Sequence, residues 1–501
     1  MTEKSSYGQI LKASSIMGGA AGINLLLGMV RVKFAAVLIG TVGVGLNASF
    51  GALQSLMGTL AGLGLQSSAV REIAVAVGSK DEQAIGRAVL TLRRLCWLTG
   101  LAGMAAMMLL APLLSQITFG HRDYTLDIAA LGVVILFGNL SGGQMSIIQG
   151  MRRIGDIARA NIFGAVFGTL AAICFYFILG LRGIVPTLVV VSAFQLALSW
   201  YFAHQIPVPK VELTLQQTFT EAKGIVRLGL VFMANGLMGS AVTYVTIALI
   251  TQHEGTQAVG LYSAAFALSG MFVNFVLGAM GADYYPRLTA AADDKAAMNR
   301  MVNEQTEIGL LLALPGLLGT LALAPWVLQI FYTREFLGAV KLLQWFILGC
   351  MGRVISWPLG FIMLALGKSS YLIISESLMH AMHIVLIFFG LQVFGVIGVA
   401  YAFVILYVLH VCVTLSIARN LTHFSWTRRA KATIFLASIA SIFLLYSSLQ
   451  LNQLSATLVG CVATLLSLIT SASLIIKKTD ALDKFPPFKR ARRFFRSLWP
   501  C

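Results

Sequence analysis

Arg353 stands near the middle of a long apolar run, in Cys350-Met-Gly-Arg353-Val-Ile-Ser-Trp357-Pro358. An ionisable side chain in hydrocarbon costs roughly 3 kcal/mol or more unless it faces water or a partner. Such a residue therefore marks either a site or a paired packing contact between helices. Its guanidinium is a fixed cation, so a site that it marks would favour an anion. Gly352 and Pro358 allow local bending, and Trp357 lies one turn along, placed for a cation–π contact. A second run, Asn24-Leu-Leu-Leu-Gly28-Met-Val-Arg31-Val-Lys33, carries two cations that point nearly opposite ways on a helix. Arg31 shares a small, polar stripe with Asn24, Gly28 and Ala35, which suits a cavity wall. Lys33 shares a stripe with Leu26 and Val37 and is placed to snorkel toward headgroups. Arg31, Arg353 and Asn24 are the anion-binding candidates.

A different chemistry is offered by Glu376, His380 and His383, spaced i, i+4 and i+7 on one stripe. Histidine changes charge near physiological pH, and protonation can alter the balance between two conformations. These three are candidates for proton coupling; the alternative is a neutral, hydrogen-bonded stripe inside a bundle. No second cluster of ligands accompanies them, so no metal site is expected. Lys341 reads as an interfacial anchor, and Asp283 is placed to pair with Arg287 four residues on.

The elements that must carry these residues are membrane helices. The chain is 58% hydrophobic and 11% charged over 501 residues, against about 25% charged in soluble domains. Apolar runs of about 20 residues cross hydrocarbon as helices, and their continuity excludes the alternating pattern of a β-barrel. Spans are expected near 12–39, 47–70, 88–115, 125–150, 158–180 and 183–204, and again near 224–251, 258–286, 305–331, 336–366, 370–390 and 394–418. Two more, 432–449 and 454–476, have no counterpart. The fold expected is all-α integral membrane, with about 14 transmembrane helices in two six-helix parallel-repeat bundles plus a C-terminal pair. The domains are an N-terminal bundle (1–205), a cytoplasmic linker (206–223), a C-terminal bundle (224–418), the extra pair (419–476) and a basic tail (477–501).

Duplication is visible in the residues themselves. Ala-Pro-x-x-x-Gln-Ile occurs at Ala111–Ile117 and Ala324–Ile330, 213 residues apart. Arg71 and Arg287 close spans before each copy, and Gly150-Met-Arg-Arg and Gly367-Lys follow each. An even number of spans per half makes the repeat parallel, a pattern of secondary transporters whose substrate site lies between the repeats.

Lys and Arg alternate between loops, which sets orientation. One side holds Lys4, Lys12, Arg71, Lys80, Arg87, Arg93, Arg94, Arg152, Arg153, Arg159, Lys210, Lys223, Arg287, Lys295, Arg300, Lys368, Arg419, Arg428, Arg429 and Lys431. The other holds only Arg122, Arg182 and Arg334. Both termini are therefore expected to be cytoplasmic. The net charge of +17 is topology charge rather than a nucleic-acid surface. The tail, with Lys484, Lys489, Arg490, Arg492, Arg493 and Arg496 among aromatic residues, suits an anionic leaflet. Six scattered cysteines indicate neither a disulfide framework nor a zinc site. No phosphate-binding Gly-x-x-x-x-Gly-Lys-Ser/Thr loop is present, no cofactor is implied, and the first helix reads as an uncleaved span.

The six-plus-six-plus-two plan, the Arg-ended second helices and Leu27-Gly28-Met29-Val30-Arg31 resemble the multidrug, oligosaccharidyl-lipid and polysaccharide exporter superfamily. Val42-Gly43-Val44-Gly45, Arg71-Glu72-Ile73-Ala74, Gly150-Met151-Arg152-Arg153 and Gly260-Leu261-Tyr262-Ser263-Ala264-Ala265 resemble its Wzx-type O-antigen or polysaccharide flippase branch. The resemblance covers residues 1–418. It implies alternating-access transport, without enzymatic chemistry, of an undecaprenyl-diphosphate-linked oligosaccharide from the cytoplasmic to the periplasmic leaflet of a bacterial inner membrane. It implies membrane lipids and polysaccharide polymerase or assembly proteins as partners, and a cavity cation at Arg31 that Arg353 approaches from the other half. The alternatives within the superfamily are a multidrug or cation antiporter, which would favour cavity carboxylates, and a peptidoglycan lipid-precursor flippase, which would show more cavity cations. A membrane glycosyltransferase or ligase would need a sizeable external loop, and none longer than about fifteen residues is expected.

Overall fold

The computed structural model describes residues 3–209 and 211–478. Lys210, the side chains of Lys4 and Lys12, and the basic tail from Lys484 through Arg496 to Cys501 lie outside the described residues. Every regular element among those described is helical. In chain order these are α1 (Glu3–Gly62), α2 (Leu65–Ser79), α3 (Glu82–Phe119), α4 (Thr125–Gly150), α5 (Ile154–Leu179), α6 (Ile184–His204), α7 (Leu215–Ala290) and α8 (Lys295–Ala322). There follow α9 (Ala324–Phe331), α10 (Val340–Ala365), α11 (Ser369–Phe394), α12 (Ile397–Thr422), α13 (Arg428–Gln450) and α14 (Gln453–Lys478).

Eleven stretches among the described residues are long and apolar enough to cross a membrane, and three of these hold two spans each. α1 bends at Gly40 (φ 63°, ψ −166°) and α7 at Gly255 (φ 80°, ψ 175°), conformations open to glycine because it has no Cβ. The 154–204 stretch is divided by the 3₁₀ turn Gly180–Gly183. The result is the fourteen-span, all-helical fold expected. Two breaks differ from the sequence reading. The second span ends at Gly62, where Leu63 and Gly64 take positive φ, and α2 is a separate helix. The ninth is interrupted at Leu323, so that Pro325 falls in the first turn of α9, where its missing N–H leaves no bond unmade. Its duplicate, Pro112, lies inside the continuous α3.

The duplication is written into backbone geometry. Asp81 caps α3 by accepting from the Ala84 N–H at 2.9 Å, and Asp294 caps α8 by accepting from the Ala297 N–H at 2.9 Å. α4 and α10 are both 26 residues long, as are α5 and α11. The turn after α4 closes with the Arg153 N–H on the Ile148 carbonyl, and that after α10 with the Lys368 N–H on the Met363 carbonyl.

The chain forms two compact units, Met1–Gly260 with Phe331–Glu335, and Leu261–Ile330 with Phe336–Cys501. In the first, Leu65, Ile73, Leu92, Ile147 and Phe202 form a buried core between α2, α3, α4 and α6. The α1 and α7 segments of this unit meet at Gly45 and Gly260: a methyl group on Gly45 would lie 1.9 Å from the Thr256 carbonyl oxygen, and one on Gly260 2.1 Å from that of Thr41. Gln252 Nε2 donates to the Ile117 carbonyl, and the Thr118 and Tyr244 hydroxyls are hydrogen bonded at 3.0 Å. In the second unit, Tyr284, Leu288, Met298, Leu359 and Phe424 are buried together. α13 and α14 pack on α8, and Asn303 ties the 423–427 connection to α8 by accepting from the Thr427 N–H at 2.8 Å.

Candidate functional site

The first leg of α1 lies along α5. Arg31 is exposed on the bare protein surface; Gly168 on α5 leaves room beside it, since a methyl group there would lie 3.8 Å from Arg31 Nη1. Tyr176 is within the field of the same guanidinium. Seven residues back on the stripe, Asn24 Oδ1 is buried with no hydrogen-bond partner among the described residues. An exposed guanidinium well inside an apolar helix is stable only where it meets water or an anion. Lys33 differs from the expectation that it ends among headgroups: its Nζ donates to the Tyr332 carbonyl. Tyr332 is itself buried, and that burial pushes its phenol up to about 12.

The same unit contains a polar cavity of about 480 Å³, lined by α1, α2, α4 and α7. Its hydrogen-bonding wall is Gln54, Ser55, Thr59, Gln66, Ser67 and Asn139, with no charged side chain in the lining. Glycines at 51, 58, 62, 64 and 138 keep the wall low between them. Asn139 is 7% exposed, and its Nδ2 is buried without a partner among the described residues. A buried amide donor left unbonded costs about 1–3 kcal/mol, so this group is poised for an acceptor that enters the cavity.

In the second unit, Arg353 on α10 and the Glu376, His380, His383 stripe on α11 converge with Tyr407 and His410 on α12. His410 Nε2 and Glu376 Oε1 are 3.3 Å apart. Tyr407 feels both Arg353 and Glu376, and its ring lies 5.9 Å from that of His410. α10 and α12 approach closely because residue 352 is glycine; a methyl group there would meet Tyr407 Cβ at 3.0 Å. Glu376 is also within the field of His380. His383 Nε2 is buried with no partner among the described residues, its ring 6.2 Å from Phe403. Trp357 packs its ring on Phe361 at 4.7 Å and Tyr284 at 5.8 Å. Asp283 pairs with Arg287 at 3.1 Å as the spacing predicts.

Arg353 and Glu376, which the sequence assigns to separate tasks, thus act on the same residue, Tyr407. The first repeat has Gly138, Asn161, Ala165 and Gly168 at the positions of Arg353, Glu376, His380 and His383, so the fold does not require the charges. His410 and Asn139 are the residues that sequence reasoning missed. His410 has no acidic partner on its own helix and Asn139 is one of several polar residues of α4, so only the neighbouring helices reveal the partner of the one and the cavity of the other.

A profile of the family described as polysaccharide biosynthesis protein matches residues 45–341. The chain belongs to this family. Among curated proteins it is similar to the lipid III flippases of Escherichia coli (strain K12) and Shigella flexneri, 21% identical to each over 429 residues, 80% of this chain and 96% of theirs. Among solved structures it resembles the lipid II flippase MurJ in an inward closed conformation, with TM-score 0.67 and 17% identity over 93% of this chain and 99% of that one. An inward-facing multidrug resistance MATE transporter of the MOP superfamily gives TM-score 0.65 and 14% identity over 80% and 96%. This member of the polysaccharide biosynthesis family therefore has the multi-pass MOP fold.

Proposed function

We propose that this protein flips a lipid-linked oligosaccharide carried on undecaprenyl diphosphate, an O-antigen or related surface-polysaccharide unit, from the cytoplasmic to the periplasmic leaflet of a bacterial inner membrane. The observation that carries this reading is the chemistry of the polar cavity in the first unit. Its wall of amides and hydroxyls without a charged side chain matches a neutral, hydroxyl-rich glycan. A cationic drug would instead call for carboxylates there. Family membership and the similarity to curated lipid III flippases support the same class of substrate.

In this reading Arg31 and Arg353 serve the diphosphate, whose oxygens accept paired hydrogen bonds from guanidinium groups, while Asn24 supplies a further polar contact. Glu376, His380 and His383, joined by His410, couple the conformational change to protons. Arg353 and Glu376 both act on Tyr407, so an anion at Arg353 changes the field beside the Glu376–His410 pair and links substrate occupancy to protonation. Both termini and the basic turns face the cytoplasm by the positive-inside rule.

The reading is tested by binding of undecaprenyl-diphosphate-linked oligosaccharide to wild type and to Gln54→Leu and Asn139→Leu. Weaker binding of the glycan-bearing lipid, with unchanged binding of bare undecaprenyl diphosphate, supports a glycan seat in this cavity. Equal binding of the glycan-bearing lipid to all three proteins would sink it.

A further inference from the structure

A second cavity, of about 560 Å³, lies in the first unit between α3, α4 and α6. Cys96, Phe137, Leu140, Ala193, Leu196 and Ala197 make most of its wall, so it is an apolar trough. Trp97 and Trp200 flank it and are 53% and 56% exposed. Two polar side chains interrupt the apolar lining. Arg93 Nε and Gln144 Oε1 are both buried, and neither has a hydrogen-bond partner among the described residues. One is a charged donor and the other an acceptor; no carboxylate lines the trough to neutralise Arg93.

The height of this pair follows from its neighbours. Arg94 donates to the Leu213 carbonyl at 2.9 Å and to Thr218 Oγ1 at 2.5 Å, which holds this part of α3 level with the α6–α7 connection. Trp200 lies one turn before the end of α6, its ring stacked on His204 at 5.2 Å. Arg93 thus lines the trough together with Trp200, one turn from the end of α6, and exposed tryptophans near helix ends sit at the headgroup boundary. The trough runs from that level into the apolar zone.

We propose that this trough binds one anionic glycerophospholipid with a hydroxylated headgroup, of the phosphatidylglycerol type. Its phosphodiester accepts from Arg93, a headgroup hydroxyl donates to Gln144 Oε1, and an acyl chain lies along the apolar wall. One guanidinium balances the single charge of a phosphodiester, whereas a diphosphate would call for more cations. The site is separate from the polar cavity and does not depend on the transport reading. Its function is to fix a lipid of one charge class against the α3, α4 and α6 face.

The test is native mass spectrometry of the full chain released from micelles containing phosphatidylglycerol and phosphatidylcholine with identical acyl chains. Wild type retains one phosphatidylglycerol with about tenfold preference over phosphatidylcholine. Arg93→Gln loses the preference, and Ala197→Trp, which fills the trough and leaves Arg93 in place, loses the retained lipid. Should Arg93→Gln not fold, Ala197→Trp decides alone. Equal retention of the two lipids by wild type, an undiminished preference in Arg93→Gln, or an undiminished adduct in Ala197→Trp overturns the proposal. So does displacement of phosphatidylglycerol by equimolar undecaprenyl phosphate.

Discussion

His410 Nε2 on α12 stands 3.3 Å from Glu376 Oε1 on α11, with the histidine side chain 14% and the carboxylate 40% exposed. This pair binds the stripe read from α11 to a neighbouring helix, and through Tyr407 to Arg353 on a third. Glu376 thereby has two histidines, His410 and His380, about it, while Arg353 and Glu376 both act on Tyr407. The charge balance about Glu376 shifts when a histidine titrates or when an anion reaches Arg353.

Glu376→Gln and His410→Gln are each expected to remove the dependence of transport on an imposed proton gradient. The loss should be roughly 5- to 150-fold, the range of ordinary coupling energies. The double variant should be no worse than either single one, because the two groups act as a unit. Flux measured in proteoliposomes with and without the gradient checks this; gradient dependence that survives in the double variant contradicts it.

Asn139→Leu should lower transport several-fold, the loss of one neutral hydrogen bond of about 0.5–1.5 kcal/mol. The same change should raise the unfolding temperature in detergent, because a buried, unpartnered amide is replaced by an apolar group of similar size. A site residue and a structural residue separate cleanly here. Falling stability together with falling transport would mean that Asn139 supports the fold instead.

Gly45 and Gly260 are 215 residues apart, as are Thr41 and Thr256, so each glycine of one repeat faces the threonine carbonyl of the other. Gly45→Ala and Gly260→Ala should therefore destabilise alike, by roughly 1–3 kcal/mol of overpacking. Gly278→Ala, where nothing lies within 4 Å of the added methyl, is the neutral control. Thermal unfolding of the three variants reads the difference, and a neutral Gly260→Ala would refute the close crossing.

The fold was legible because membrane helices are specified by apolar runs longer than the hydrocarbon is thick, and Gly40 and Gly255 mark where two spans run together. The break at Leu63 and Gly64 was not, since the apolar pattern continues across it into Leu65. Among site residues, the α11 stripe was visible because helical spacing alone aligns Glu376, His380 and His383. His410 was invisible for the converse reason: its partner is 34 residues away, across a helix interface. Lys33 was misjudged in the same manner, since the carbonyl it reaches lies 299 residues along the chain. Asn139 reads in sequence as one of several polar residues of α4, with Ser141 and Gln144, and only the cavity beside it gives it a task.

The most direct measurement is translocation of undecaprenyl-diphosphate-linked oligosaccharide between leaflets of proteoliposomes by wild type, Arg31→Ala and Arg353→Ala. Wild type should move the lipid, and each alanine variant, folded to the same unfolding temperature, should lose about tenfold or more of the rate, at least 1.4 kcal/mol of lost stabilisation. Wild type that leaves the lipid in place but extrudes a cationic dye would contradict the account and reverse the sign of its substrate.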